Sequence, residues 1–207
     1  MDSIQIAKWE KDHAEKLKEW QAEHGKLARF PTRKGMLVFR TPGQDDYERF
    51  LNKLAAQEDQ APARRELAQR SVLSHEPEAL AKIFESLPAI PAQIESKLSD
   101  LAGMSDDVEL LEEADGTERL VVETANGAFT FRLSTLDEWE ALGRTNKKAK
   151  RGDRAKNLRG FCSLLLVSPD DKQLEELFKR RPGLPTAIVK KLSDTLGGDV
   201  EALEKKA

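Results

Sequence analysis

The chain has little of what most catalytic and metal sites are built from. Its 207 residues include one cysteine, three histidines and 6% aromatic residues. A single cysteine, Cys162, excludes an intramolecular disulfide framework and a cysteine-rich zinc site. It lies in the apolar run Phe161-Cys162-Ser163-Leu164-Leu165-Leu166-Val167, with no neighbouring histidine or cation to lower its pKa, and reads as a small core residue. His13, His24 and His75 are far apart, with no ligand spacing around the first two. Neither GxGxxG nor GxxxxGK[ST] occurs, and Gly197-Gly198 follows a helical run as a stop signal. The acidic pairs Asp45-Asp46 and Asp170-Asp171 stand at predicted helix starts, where the helix dipole favours negative charge. No apolar run approaches the ~20 residues of a bilayer span, and the charged N-terminus lacks a signal-peptide core. These absences predict a soluble cytoplasmic chain that is not an enzyme and uses no cofactor, metal or membrane.

Charge is abundant instead. Charged residues make up 34% of the chain against 39% hydrophobic, and 34 Lys and Arg nearly balance 37 Asp and Glu. The balance hides two blocks. Residues 105–118 carry seven acidic and no basic side chains, and residues 144–159 carry eight basic ones against Asp153 alone. The basic block could hold phosphate non-specifically. It has no interleaved aromatic residues for base stacking, so a solvated loop, or a partner for the acidic block or an acidic protein, is the favoured reading over nucleic acid.

The chain also repeats itself. FESLPAIPAQIESKLSDLAG at 84–103 and FKRRPGLPTAIVKKLSDTLG at 178–197 share nine of twenty positions at a constant offset of 94. About one match is expected by chance. Upstream, GMLVFRTPGQDDYERF at 35–50 parallels GAFTFRLSTLDEWEAL at 127–142 at an offset of 92, with Phe39/Phe131 and Arg40/Arg132 matched and Tyr47 answered by Trp139. Two residues are therefore inserted between the blocks in the second copy.

Each copy predicts the same order of elements. A hairpin comes first, marked in copy two by Asn126-Gly127 and the alternation of Phe129, Phe131 and Leu133. A helix follows, opened by Pro42 in one copy and by a capping box of Ser134 and Asp137 in the other. Tyr47, Phe50, Leu51 and Leu54 form the inward stripe of the first of these. An apolar helix is predicted near 64–74 and 157–167, then a short helix bearing Leu80, Ile83, Phe84 and Leu87 or Leu174, Leu177 and Phe178. The proline pairs Pro88/Pro91 and Pro182/Pro185 make a helix–helix corner before the last helix. Ahead of both copies, Ile6, Trp9, Leu17 and Trp20 recur at helical spacing on a stripe that docks either onto the body or onto a partner.

The expected fold is α+β and predominantly helical: two tandem repeats of a β-hairpin followed by about four helices, preceded by an N-terminal amphipathic helix. The expected divisions are that helix at 1–24, unit one at 25–104, an acidic linker at 105–118, unit two at 119–198 and a charged tail at 199–207. Candidate partner-binding residues are Trp9 and Trp20, the paired Arg40 and Arg132, and Lys147, Lys148, Lys150 and Arg151 of the basic block. For the two arginines the competing reading is a structural one, a tie from hairpin to helix through an acidic partner.

Trp20-x-x-x-His24-Gly25, a hairpin ending in Phe39-Arg40-Thr41-Pro42, the acidic-aromatic Asp46-Tyr47-Glu48-Arg49-Phe50 and the proline-paired helical tail together resemble the small tail-assembly-chaperone proteins of tailed bacteriophages and prophage elements. Copy two resembles them more loosely, and the duplication departs from their single unit. The resemblance implies a non-catalytic protein in the cytoplasm of the bacterial host that binds other phage tail or particle proteins, notably a tape-measure protein, and leaves before the virion is complete. A permanent tail, connector or baseplate component of the virion is the alternative, and homo-oligomers fit either reading.

Overall fold

The computed structural model describes residues 1–55, 60–105, 108–113, 115–125, 127–148 and 153–196. It has the predominantly helical α+β fold, and its contacts divide the chain into residues 1–102 and 103–207.

The first unit begins with α1 (Ser3–Asp12) and α2 (Ala14–His24). The single N-terminal helix read from the sequence is thus two. Asp2 caps α1 reciprocally with Gln5, each backbone N–H donating to the other side chain at 2.8 and 3.0 Å. The break falls at His13, whose ring stacks on Trp9 at 4.2 Å and whose backbone leaves helical geometry at φ −116°, ψ 15°.

The hairpin of β1 (Leu27–Thr32) and β2 (Gly35–Arg40) closes between Thr32 and Gly35. Gly35 has φ +125°, which a side chain would strain, and the Thr32 hydroxyl donates to the Gly35 carbonyl at 2.8 Å. Helices α3 (Gln44–Ala55), α4 (Gln60–Ser71), α5 (Pro77–Ser86) and α6 (Ile90–Leu101) follow. Pro42 does not open α3. It is buried ahead of the helix, and the first intrahelical bond runs from the Tyr47 N–H to the Gly43 carbonyl. Alternate residues Leu37 and Phe39 are buried together with Tyr47, Phe50, Leu67, Leu80, Phe84, Ile94 and Leu98, while α4 touches α3, α5 and α6. Burial pushes the Tyr47 phenol up to about 12. Leu51 and Leu54 of the predicted stripe are only half-buried.

The second unit has a four-stranded antiparallel sheet in the order β3 (Glu109–Glu112), β4 (Glu118–Thr124), β5 (Gly127–Arg132), β6 (Leu166–Ser168). Its helices are α7 (Leu136–Lys148), α8 (Arg154–Leu165), α9 (Asp171–Arg180) and α10 (Leu184–Thr195). Its β4–β5 hairpin closes in the same way as the first: Thr124 donates to the Gly127 carbonyl at 2.6 Å, and Gly127 has φ +116°. Asn126 of the predicted turn lies outside the described residues. The cap of α7 sits one residue later than expected. Thr135 and Glu138 exchange bonds of 2.9 and 3.3 Å, while Ser134 is buried instead. Phe129, Phe131, Phe161, Cys162, Leu165, Leu174, Phe178, Ile188 and Leu192 form one core, against which Leu133, Trp139 and Leu177 pack.

Two strands depart from expectation. The acidic segment read as a linker contains β3, which pairs with β4 from Glu109↔Val121 to Glu112↔Glu118. The apolar run expected to be helical to 167 changes to strand at Leu166, where the backbone pairs with Phe131 of β5 instead of continuing the helix. Its counterpart in the first unit is a single bridge from Val72 to Phe39, matching the pairing of Leu166 with Phe131. Gly197-Gly198 and the tail at 199–207 lie outside the described residues.

Candidate interaction surfaces

Arg40 and Arg132 end the second strand of their hairpins and make the same three kinds of contact. Arg40 donates to the Thr41 carbonyl at 3.2 Å and to the Arg70 carbonyl at 2.8 Å, and its Nη2 lies 3.6 Å from Asp46. Arg132 donates to the Leu133 carbonyl at 3.2 Å, to the Leu164 carbonyl at 3.4 Å, and to both oxygens of Glu138 at 2.9 and 2.6 Å. Each arginine ties the strand end to the last turn of one helix (α4 or α8) and the first turn of another (α3 or α7). These contacts fit a structural tie rather than a free partner-binding group.

The two ties differ in their acid. Asp46 is shared with Arg70 at 3.2 Å, whereas position 164 is leucine and Glu138 has Arg132 as its cation. The bidentate bonds from Arg132, aided by the Thr135 backbone N–H, hold the Glu138 carboxyl down at about 2. In the first unit the polar belt continues outward. Arg70 reaches Glu66 at 3.2 Å, and Lys53 also pairs with Glu66, lowering that carboxyl.

Trp9 and Trp20 face the body of the first unit. The outer face of its hairpin presents Met36 and Val38, and around Leu17 on these two pack Ile6, Trp9, Trp20 and Leu27. Glu10 and Arg29 pair at 2.5 Å across the contact, and Lys16 lies 5.0 Å over the Trp20 ring. Leu17 is the one side chain of α1 and α2 that is buried.

Lys147 and Lys148 end α7, where cations complement the helix dipole. They and Lys156 are exposed and make no ion pair among the described residues. Asn157 donates to Asn146 at 3.1 Å, tying the ends of α7 and α8 together. Lys150 and Arg151 lie outside the described residues.

The remaining chemistry-bearing groups are structural in setting. Cys162 is fully buried with its thiol 3.8 Å from the Pro185 carbonyl, and burial pushes its pKa up. His13 lies 2.9 Å from the Trp9 carbonyl, His24 is beside Glu23 at 3.6 Å, and His75 is 2.8 Å from the Ser74 hydroxyl with its pKa lowered by burial. Asp170 caps α9 by accepting from the Gln173 N–H at 2.8 Å. Among the described residues no three His, Cys, Asp or Glu side chains stand together as a metal site, and no helix is long and apolar enough to cross a membrane.

Sequence reasoning missed the exposed apolar residues of the second unit. Leu110 and Leu111 lie on the sheet-edge strand β3, Leu136 and Leu164 sit on the two helices that Arg132 ties together, and Val167 lies on β6. Leu136 is 72% exposed, where the first unit has Gln44 at the matching place. The Leu110-Leu111 pair between glutamates was the one available signal.

Residues 20–111, just under half of the chain, match a family described as a domain of unknown function, DUF6848. The match takes in the hairpin and helices of the first unit and leaves out α1 and most of α2. No curated protein and no solved structure matches the chain.

Proposed function

We propose that the chain is a non-catalytic protein-binding factor that assists tail assembly in a tailed phage or prophage, holding a tape-measure-like or other tail protein in the host cytoplasm. One observation carries the reading: the phenylalanines, leucines and isoleucines matched between the two halves are buried in both, while the exposed features of the halves differ. The matched Phe39/Phe131 and Phe84/Phe178 are buried, and the matched Arg40 and Arg132 brace the strand ends against helix carbonyls. The differences are the helical arm of the first unit and, on the second, an acidic strand edge, exposed leucines and a basic helix end. Surfaces of unlike charge and polarity on a common framework suit a protein that meets other proteins.

The test is recovery of the tagged chain from phage-producing cells, followed by mass spectrometry of its companions and of purified particles. A tail protein recovered with the chain, and particles that lack the chain, support the assembly role. Stoichiometric presence in particles would make it a tail, connector or baseplate component instead. The exposed Lys147, Lys148 and Lys156 favour one further comparison, binding to DNA across a salt series. Affinity falling steeply with added salt would favour the nucleic-acid reading, and a flat response would remove it.

A further inference from the structure

We infer that the outer face of the β1–β2 hairpin is a docking surface for an amphipathic helix of a partner protein, occupied in the free chain by its own arm, α1 and α2. The inference goes beyond the tail-assembly reading and does not rest on it. Strand pairing places Leu27, Arg29, Pro31, Met36 and Val38 on one face, opposite the inward Leu37 and Phe39. At the corresponding places the β4–β5 hairpin has Arg119, Val121, Glu123, Ala128 and Thr130. Apart from Val121, that face is polar or small, and no arm is attached to it in sequence. The apolar face and the arm therefore occur together.

The arm is a thin cover. Leu17 alone is buried, with Ile6, Trp9 and Trp20 half-buried around Met36 and Val38. Its joint to the body is Gly25, exposed, at φ +74° and with nothing within 4 Å of where a side chain would start. α1 and residues 14–19 also lie outside the segment shared with the DUF6848 family, whereas the receptor face lies inside it. The occupant defines what fits: a helix with a leucine and aromatic stripe and a carboxylate placed, like that of Glu10, to meet Arg29.

The test uses the full chain and a fluorescent synthetic peptide of residues 1–25 as the partner-helix probe, read by anisotropy. A tethered arm competes at an effective concentration on the order of millimolar. The Trp9→Ala/Trp20→Ala chain, checked for folding by circular dichroism, should bind the probe at least about tenfold more tightly than the unchanged chain, because weakening the arm frees the face. In that background Arg29→Glu should weaken the probe by about two- to fivefold, the range of an exposed ion pair, and a Glu10→Lys probe should recover it. In the unchanged chain, amides of α1 and α2 should exchange with deuterium faster than those of β2. Equal probe binding by the two chains, no charge-swap recovery, or exchange of arm and hairpin at one rate would overturn the proposal. Variant chains that dimerise without taking up the probe would assign the face to a second copy's arm, and overturn it too.

Discussion

The two halves of this molecule have similar interiors and dissimilar exteriors. Phe39 and Phe131, Leu80 and Leu174, Phe84 and Phe178, Ile94 and Ile188, and Leu98 and Leu192 are all buried at matching places. The hairpins close with the same threonine–glycine bond, and an arginine at the same strand position reaches the same two kinds of backbone carbonyl. On the outside, Gln44 and Arg70 of one half stand where Leu136 and Leu164 stand in the other, and a face of Met36 and Val38 answers one of Ala128 and Thr130. Interior positions must satisfy packing, which tolerates few solutions. Exterior positions are freer to differ.

The strongest challenge to that comparison lies in the cores. Phe84→Ala and Phe178→Ala should each cost about 3–5 kcal/mol, since both rings are almost wholly buried. Urea unfolding of each variant measures it. A cost at one site less than half that at the other would mean the interiors are not equivalent. Exchanging the outer faces sharpens the comparison. Val38→Thr puts a hydroxyl into the buried contact with Leu17 and should destabilise by about 1.5–2 kcal/mol, whereas Thr130→Val on the half-buried opposite number should stay within about 0.5 kcal/mol.

The arginine ties come next. Arg132→Ala should cost about 1 kcal/mol near neutral pH, and Arg40→Ala somewhat less, because Asp46 keeps Arg70 as a second cation. Glu138 is held down at about 2 in the folded chain, below its ordinary value of 4.5. Its contribution is therefore full above pH 4.5 and is lost as the pH falls toward about 2. The gap between the unchanged and Arg132→Ala chains should close over that window in acid titrations followed by circular dichroism. A gap that persists unchanged to pH 2 would show that Arg132 acts through the Leu133 and Leu164 carbonyls alone. The smallest effect is expected at the hairpin closures, where Thr32→Ala and Thr124→Ala should each cost about 0.5 kcal/mol in thermal unfolding.

Much of the framework was legible because it rests on spacing. Phe129 and Phe131 alternate and are buried, the proline pairs stand at the predicted corners, and Pro91 and Pro185 lie in the first turn of α6 and α10. Elements that depend on distant partners were not legible. β3 is the four residues Glu-Leu-Leu-Glu within an acidic segment and becomes a strand only by pairing with β4. The run from Phe161 to Val167 is apolar throughout, and periodicity does not separate its helix from its strand. The break at His13 escaped notice because Trp9 and Leu17, eight apart, fit one continuous helix. For the candidate surfaces, sequence offered the arginines and tryptophans but not their settings. The acceptors at Arg70 and Leu164 are backbone carbonyls, which every residue has. The apolar face that receives Trp9 and Trp20 exists only once β1 and β2 are in register.

Cys162 has a practical consequence. It is the chain's sole thiol, and it sits at zero exposure in the core of the second unit, at the place where the first unit has the equally buried Ala68. Its rate of alkylation is therefore a clock for openings that reach that core, readable by the mass of the added alkyl group with no substitution in the chain. Every residue it sees is native, and the other unit is silent in the same experiment. Ala68→Cys in a Cys162→Ala chain would move the sole thiol to the other half, so that the two units could be timed separately in a pair of chains.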